Sequence, residues 1–137
     1  MTLAAALAAT HAQAFAFDRP WSEAEFAALL ASPGTVLIGD ATAFALGRIM
    51  LDEAEILTLA TTPSARRMGL AKAALDRFEA LAKRRQVATV FLEVAQDNHA
   101  ALQLYAKAGY AEVGLRPGYY GRSSGPAVAA LILRKSL

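Results

Sequence analysis

The chain has 137 residues, of which 55 % are hydrophobic and 19 % charged, a composition that predicts a packed globule and excludes a mainly disordered segment. Because it contains no cysteine, it cannot form a disulfide, a thiolate metal cluster or an acyl-cysteine intermediate. The net charge of +2 indicates no particular partner, but it is unevenly spread, with −5 over residues 1–60 and +7 over residues 61–137.

The length fits one domain, residues 1–137. Residues 1–16 contain a short apolar run that imitates a secretory signal, yet they lack the positively charged start that such a signal needs. We therefore predict a buried, alanine-rich first helix. No other stretch approaches the ~20 apolar residues that cross a bilayer, so we expect a cytoplasmic protein without membrane association.

Two further helices have clear sequence signals. Ser22 and Glu25 form a capping box for a second helix, which Ser32-Pro33-Gly34 ends. Apolar residues recur at three- and four-residue steps from Gly69 to Arg85. This period predicts a long amphipathic helix.

Short apolar runs rich in β-branched residues predict six strands. They cover residues 35–38, 43–50, 53–61, 87–94, 110–115 and 128–133. A helix over residues 100–108, capped by Asp97 or Asn98, is expected between the fourth and fifth strands. Residues 118–126 predict a long polar loop before the last strand.

The turn that precedes the long helix is a predicted anion site. The first N–H groups of a helix have no internal partner and lie at the positive end of its dipole. Gly69 lets a diphosphate approach the backbone, and Ala71 is small enough to leave the next turn open. Arg66, Arg67 and Lys72 add positive charge. The alternative is an ordinary strand-to-helix turn with surface arginines.

Two motifs carry a resemblance to a known family. Arg-x-x-Gly-x-Ala at residues 66–71 resembles the Gln/Arg-x-x-Gly-x-Gly/Ala signature of the GNAT acyltransferases. Residues 92–110 read L-E-V-x-x-x-N-x-x-A-x-x-L-Y-x-x-x-G-Y, a pattern similar to that of the bacterial ribosomal-protein alanine N-acetyltransferases within that superfamily. Further matches are Pro20-Trp21-Ser22, Asp52 to Leu57, and Arg116 followed by Gly118-Tyr119-Tyr120.

The resemblance covers about residues 2–135 and implies a fold, a co-substrate and binding residues. The fold would be mixed α/β, with a mostly antiparallel sheet splayed between its third and fourth strands. Acetyl-CoA would enter that gap, with its pyrophosphate on the backbone amides of residues 67–72 and its pantetheine arm beside residues 57–60 and Asn98. The cofactor-binding residues so implied are Leu57, Leu59, Ala60, Arg66, Arg67, Met68, Gly69, Leu70, Ala71, Lys72 and Asn98. The implied substrate-binding residues are Trp21, Glu53, Glu55, Tyr119 and Tyr120.

The resemblance also implies two catalytic residues. Glu93 would act as the general base, through water, and Tyr105 would protonate the departing CoA thiolate. The chemistry agrees, because an amine must lose a proton to attack a thioester and a phenol can give one to a thiolate. Each residue also has a structural interpretation: Glu93 as a strand-end carboxylate in a salt bridge, Tyr105 as a core aromatic. In the same way Asn98 can serve as a helix cap and Trp21 as a packing anchor.

The chain departs from the family pattern in three places. The family usually carries a strand before the first helix, and the sequence offers none there, so we expect six strands rather than seven. Residues 125–128 lack the carboxylate that the family has before its last strand, and Ala71 replaces a frequent glycine. His11 and His99 are isolated from each other, so no metal site is expected.

These observations predict an enzyme that transfers the acetyl group of acetyl-CoA to an N-terminal α-amine by direct attack. The expected acceptor is a protein such as a small-subunit ribosomal protein with an N-terminal alanine, and the acidic residues 1–60 favour a basic peptide. One alternative is a GNAT enzyme for a small-molecule amine or a lysine side chain. Another is a non-catalytic module that binds acyl-CoA or nucleic acid through the basic residues 66–85, although no direct contact with nucleic acid is expected.

Overall fold

The computed structural model describes residues 1–14, 20–122 and 124–137. The elements in these ranges are α1 (Leu3–Ala14), α2 (Glu23–Ala31), β1 (Thr35–Gly39), β2 (Ala43–Met50), β3 (Glu53–Thr61), a 3₁₀ turn (Pro63–Ala65), α3 (Leu70–Arg84), β4 (Thr89–Ala95), α4 (His99–Lys107), β5 (Ala111–Tyr120) and β6 (Val128–Ser136). This order of helices and strands confirms the predicted one. The last two residues of the predicted first helix, 15–16, lie outside the described residues, as do the charged residues Asp18 and Arg19 and the loop residue Ser123.

The six described strands form one sheet in the order β1-β2-β3-β4-β6-β5. Within it β3 and β4 run parallel, whereas the other neighbours are antiparallel. The parallel ladder joins Glu53–Ile56 to Thr89–Leu92 and extends no further among the described residues. The predicted mixed α/β fold, with six strands and a sheet that splays between β3 and β4, is therefore confirmed.

The helix α3 is fixed against the sheet by its apolar side. Leu75 and Phe78 are fully buried there. Gly47 of β2 makes this approach possible, because a Cβ atom at that position would lie 2.4 Å from the ring of Phe78. The packing holds the N-terminal end of α3, at Gly69, beside the gap between β3 and β4.

The other face of the sheet is covered by α1 and α2. The hydroxyl of Ser22 accepts the N–H of Glu25 at 3.2 Å, and the carboxylate of Glu25 accepts the N–H of Ser22 at 3.1 Å, which is the predicted capping box. Leu7 of α1 and Phe26 of α2 pack with Phe44 of β2 in a second buried cluster. The alanine-rich first helix is thus a packed element, as predicted.

A β-bulge lies in β3 at the point where this strand leaves β4. Successive residues of β2 pair with Thr58 and with Ile56, so Leu57 is the extra residue. Ile56 and Leu59 both pack into the core beneath α3, although residues three apart on a regular strand face opposite sides. Beyond the bulge, residues of β3 that would face α3 on a regular strand therefore face α1, and the reverse.

The structure corrects one prediction about β5. This strand continues to Tyr120, so the predicted polar loop over residues 118–126 begins too early. The pairing with β6 is irregular between Arg116 and Tyr120. Pro117 has no N–H to donate and Gly118 has a φ of +59°, and a bulged strand accepts both features. A Pro-Gly pair that is typical of a turn here forms an irregularity inside a strand.

Candidate active site

A cleft of about 660 Å³ opens where β3 and β4 part. It crosses the sheet: α1 and Trp21 line it on one face, and residues of α3 and α4 line it on the other. The sequence-predicted residues that line it are Trp21, Leu57, Leu59, Ala60, Arg66, Arg67, Ala71, Glu93, Asn98, Tyr105 and Tyr120. The fold thus brings together most of the predicted cofactor-binding and catalytic residues.

The wall formed by residues 57–61 of β3 has an unpaired backbone edge. The ladder to β4 ends at Ile56, so the N–H and C=O groups of the next residues on that side have no strand partner among the described residues. Leu57, as the bulge residue, is also out of register with β2. An exposed strand edge of this kind can form hydrogen bonds with an extended, amide-bearing ligand.

The turn at residues 66–69 forms one end of the cleft. Arg67 has a φ of +65° and Gly69 a φ of +73°, two left-handed residues that turn the chain into α3. Apart from its chain neighbours and the backbone of α3, no atom of the described residues lies within 4 Å of the position that a Cβ of Gly69 would occupy, so the space in front of the helix is open. No described side chain caps this helix. Arg66 and Arg67 line this end of the cleft. It therefore combines the positive charge of two guanidinium groups with the first backbone N–H groups of α3.

Four predicted cofactor-binding residues of this turn and of the start of α3 lie outside the cleft lining: Met68, Gly69, Leu70 and Lys72. Met68 is 68 % exposed. Lys72 donates to both carboxylate oxygens of Asp76 at 2.8 Å, so its charge already has a partner. Leu70 is the first residue of α3. The predicted role of these positions rests on their backbone groups, and it stays a prediction.

Asn98 combines a structural contact with a place in the cleft. Its Oδ1 accepts the N–H of Ala101 at 3.2 Å and so caps α4, one of the two predicted capping residues. The same residue lines the cleft. The interpretation as a helix cap and the predicted contact with a ligand are compatible.

Glu93 lies on β4 at the edge of the gap. Its neighbours Leu92 and Val94 belong to the core beneath α3, so the side chain of Glu93 is on the opposite face, towards α1. The carboxylate is 31 % exposed and pairs with Arg116 of β5 at 3.0 Å. The salt bridge that the sequence left as an alternative is therefore present, together with exposure to the cleft.

Tyr105 of α4 is buried in the cleft wall, 6 % exposed. Burial raises the pKa of its hydroxyl above the ordinary value of about 10, so this group stays protonated at neutral pH. Its ring packs edge-on against Tyr110 at 5.5 Å. Tyr110 in turn donates to Glu79 at 2.9 Å, and Lys135 donates to the same carboxylate at 2.6 Å. These contacts of Tyr110 lie outside the cleft lining.

Aromatic rings line the end of the cleft away from α3. Trp21 stacks on His11 at 4.8 Å, and its backbone N–H donates to His11 Nδ1 at 3.1 Å. His11 is buried, 3 % exposed. The half-buried Tyr120 completes this end, with the guanidinium of Arg122 at 5.9 Å from its ring.

Three predicted substrate-binding residues do not line the cleft. Glu53 and Glu55 lie at the start of β3, where it is still paired with β4, and Glu55 lies 3.8 Å from Arg48. Tyr119 is 53 % exposed and packs against Tyr120. The geometry gives these three residues no support, and their role stays a prediction.

Sequence reasoning did not single out several residues that the structure brings to the site. Thr58 offered a signal, since it is a hydroxyl between two leucines in the middle of an apolar strand. Arg116 appeared only as a match to the family pattern. Its pairing with Glu93 depends on the place of β5 in the sheet, which neither residue indicates by itself.

Comparison with known proteins decides the family. The sequence pattern of the acetyltransferase (GNAT) family matches residues 5–110. The chain belongs to the GNAT acetyltransferase family. The match shows an acetyl-CoA-dependent N-acetyltransferase, since this family uses acetyl-CoA as its acetyl donor.

Two relatives and one crystal structure are similar to this GNAT chain over most of their length. It is 35 % identical over 125 residues to the [ribosomal protein bS18]-alanine N-acetyltransferase of Escherichia coli (strain K12). This alignment covers 86 % of this chain and 82 % of that protein. It is 37 % identical over 118 residues to the N-alpha-acetyltransferase RimI of Mycobacterium tuberculosis, covering 80 % and 73 %. The crystal structure of the ribosomal-protein-S18-alanine N-acetyltransferase from Escherichia coli superposes with a TM-score of 0.87 at 32 % identity, covering 97 % and 86 %.

Two features are absent from the described part of the GNAT chain. In residues 1–14, 20–122 and 124–137 no three His, Asp or Glu side chains are grouped so that they could hold a metal ion. None of the helices in these ranges is long and apolar enough to cross a membrane. Both findings apply to the described residues alone.

Proposed function

We propose that this enzyme acetylates the N-terminal α-amine of a protein, with the N-terminal alanine of a small-subunit ribosomal protein as the acceptor. The observation that carries the proposal is the cleft that crosses the sheet between β3 and β4. A donor and an acceptor can enter it from opposite faces and meet beside Glu93. The relatives named for acetylation of ribosomal protein bS18 support this acceptor. Such an acceptor agrees with the predicted cytoplasmic location.

The end of the cleft beside α3 fits acetyl-CoA. The open space in front of Gly69, the uncapped N-terminus of α3 and the two arginines favour a pyrophosphate. The free edge of β3 at residues 57–60 matches the amide groups of a pantetheine arm, which need hydrogen-bond partners along an extended path. Asn98 lies across the cleft from this edge, at the N-cap of α4.

Glu93 is the residue that removes a proton from the acceptor. Bound acetyl-CoA supplies a thioester whose carbonyl carbon is open to attack. The acceptor enters as an ammonium and loses one proton to the Glu93 carboxylate, directly or through one water, which frees the nitrogen lone pair. The nitrogen then bonds to the acetyl carbon and the C–S bond breaks. The chain has no cysteine, so the acyl group is not held on a thiol of the enzyme.

Tyr105 completes the proton balance. The departing sulfur leaves with the electron pair of the C–S bond, and the Tyr105 hydroxyl gives it a proton, so that a free thiol is released. Tyr105 is in its protonated form when the thiolate develops, since burial raises its pKa. When the C–N bond has formed and the C–S bond has broken, the nitrogen still carries two protons, and it loses one of them to water to give the neutral amide. Glu93 has gained one proton and Tyr105 has lost one, and exchange with water restores both, so that one proton is released per turnover.

Acceptor choice tests the proposal. Release of CoA thiol is measured with a peptide that has a free N-terminal alanine, with the same peptide blocked at its N-terminus but carrying a lysine, and with a polyamine. We expect kcat/KM for the peptide with the free N-terminal alanine to exceed the values for the blocked lysine peptide and for the polyamine by at least ~10-fold. Faster turnover of the blocked lysine peptide or of the polyamine would reject the N-terminal acceptor.

A further inference from the structure

The hydroxyl of Thr58 is a polar group for which the mechanism above has no use. Thr58 is 7 % exposed, lines the cleft, and its Oγ1 is buried without a hydrogen-bond partner in the described part of the chain. Buried hydroxyls in folded proteins nearly always have a partner, because an unmet one destabilises the fold. A ligand in the cleft is a candidate for the missing partner.

The bulge determines which way Thr58 faces. Thr58 lies directly opposite Leu46 of β2, and directly opposed residues of an antiparallel pair share one face. Leu46 belongs to the cluster packed under α1 and α2, so Thr58 faces that side. On a regular strand without a bulge, Thr58, two residues after Ile56, would share the face of Ile56 and be buried beneath α3.

Glu93 is on this same face of the sheet, across the gap from Thr58. Ile56 and Leu92 form the last pair of the parallel ladder. Glu93 follows directly on β4, and Thr58 follows on β3 after the bulge residue. Beyond the last pair, both side chains therefore lie on the α1 side, within two residues of the end of the ladder. Both residues line the cleft in which an acceptor amine would meet the thioester.

We propose that Thr58 is a further catalytic residue, which accepts a hydrogen bond from the attacking amine while Glu93 takes its proton. This inference rests on the proposed function. An ammonium has three N–H groups; one proton passes to Glu93, and one of the two remaining N–H groups donates to Thr58 Oγ1. Fixing both directions fixes the lone pair of the nitrogen, which then points at the acetyl carbon. A neutral hydroxyl suits this task because it accepts a hydrogen bond without competing for the proton.

Two substitutions separate the hydroxyl from its packing. Thr58→Val keeps the branched shape and removes the oxygen, whereas Thr58→Ser keeps the oxygen and removes a methyl group. We expect Thr58→Val to lower kcat/KM for the alanine peptide by about 10- to 100-fold, with acetyl-CoA affinity unchanged and a Tm equal to or above that of the wild type. Thr58→Ser should keep kcat/KM within about 3-fold of the wild type, even if its Tm falls. A purely structural threonine predicts the reverse order.

A matched control and a pH series sharpen the test. Thr35→Val removes another buried, unpartnered hydroxyl, on β1 and outside the cleft lining, and should leave kcat/KM unchanged. The loss in Thr58→Val should persist at high pH, because the lost hydrogen bond does not depend on removal of a proton. Wild-type kcat/KM in Thr58→Val, or equal losses in the valine and serine variants, would overturn the inference. If the wild type prefers another amine, the proposed acceptor fails, and the ratio of Thr58→Val to wild type is measured with that amine instead.

Discussion

Arg116 of β5 lies 3.0 Å from the carboxylate of Glu93 on β4, and the contact passes over β6, which separates the two strands in the sheet. The guanidinium also lies 5.6 Å from the ring of Tyr119. Arg116 is half exposed, so the pair adds little to stability, on the order of 1 kcal/mol or less. Its consequence is geometric: it restricts the position of the carboxylate that faces the cleft.

The Glu93→Gln variant tests the role of that carboxylate. If Glu93 is the base, kcat/KM should fall by about 10²- to 10⁴-fold while acetyl-CoA affinity stays nearly intact. Much of the loss should return at high pH, since the acceptor amine then loses its proton in solution. If Glu93 only anchors Arg116, then Arg116→Gln should lower kcat/KM as much as Glu93→Gln does, and pH should rescue neither.

Tyr105→Phe tests the general acid. The change removes one hydroxyl and little volume, so we expect slower turnover, nearly unchanged acetyl-CoA affinity and no rescue at high pH. Tyr110→Phe is the matched control, because it removes a hydroxyl that donates to Glu79 outside the cleft. That variant should lose Tm but keep its turnover per folded molecule. Equal turnover in both variants would remove the role of Tyr105 as an acid.

The order of helices and strands was predictable because each element carries a local signal. The capping box at Ser22 and Glu25 depends only on residues three apart, and the apolar period of α3 is visible in its own sequence. The bulge at Leu57 has no such signal. Residues 56–60 form a continuous apolar run apart from Thr58, and such a run does not indicate which residue is extra.

The site was predictable in part for the same reason. Residues near the gap, such as Asn98 and Tyr105, belong to one helix with its own pattern, and both line the cleft. The contacts that hold the site come from β5, whose position next to β6 rather than β4 is a property of the whole sheet. For Tyr119 and Tyr120 the sequence predicted a loop, and a loop prediction cannot state which ring faces the cleft. In the observed strand β5, Tyr120 lines the cleft and Tyr119 does not.

The anion end of the cleft can be tested with two donors and two variants. Acetyl-CoA should raise the Tm clearly more than acetyl-pantetheine, which lacks the pyrophosphate. Arg67→Gly removes the charge and tolerates the φ of +65°, so it should weaken acetyl-CoA binding without loss of stability. Gly69→Val should weaken binding and also lower the Tm, because valine resists the φ of +73°. Equal Tm shifts from both donors would contradict a pyrophosphate site at this turn.

The acceptor sequence gives a further test. Residues 1–60 carry a net charge of −5, which favours a basic peptide. A peptide that begins Ala-Arg should therefore outcompete one that begins Ala-Glu, and the difference should shrink as salt rises. Competition at two salt concentrations, with CoA thiol release as the readout, measures this. Equal kcat/KM for the two peptides at low salt would refute an electrostatic preference.

Asp97 and Arg122 join the turn before α4 to the segment that follows β5, and this pair predicts a pH dependence of stability. Arg122 donates to the two carboxylate oxygens of Asp97 at 2.8 and 2.6 Å, and these hydrogen bonds hold the pKa of Asp97 below its usual value. A carboxyl whose pKa is lower in the folded chain contributes its full stabilisation above the unfolded value of about 3.9 and loses it as the pH falls through the folded value. The Asp97 side chain is 41 % exposed, so we expect at most ~1 kcal/mol.

Urea unfolding of the wild type and of Asp97→Asn from about pH 7 to about pH 3 measures this contribution. The difference in free energy of unfolding between the two should be constant near neutral pH and should shrink as the solution is acidified below about pH 4. Arg122→Gln and the double variant complete a cycle that isolates the pairwise term from other contacts of each residue. Added salt should reduce that term, because the carboxylate is open to solvent. A difference that grows on acidification would mean that Asp97 is stabilised in its protonated form, contrary to the bidentate contact with Arg122.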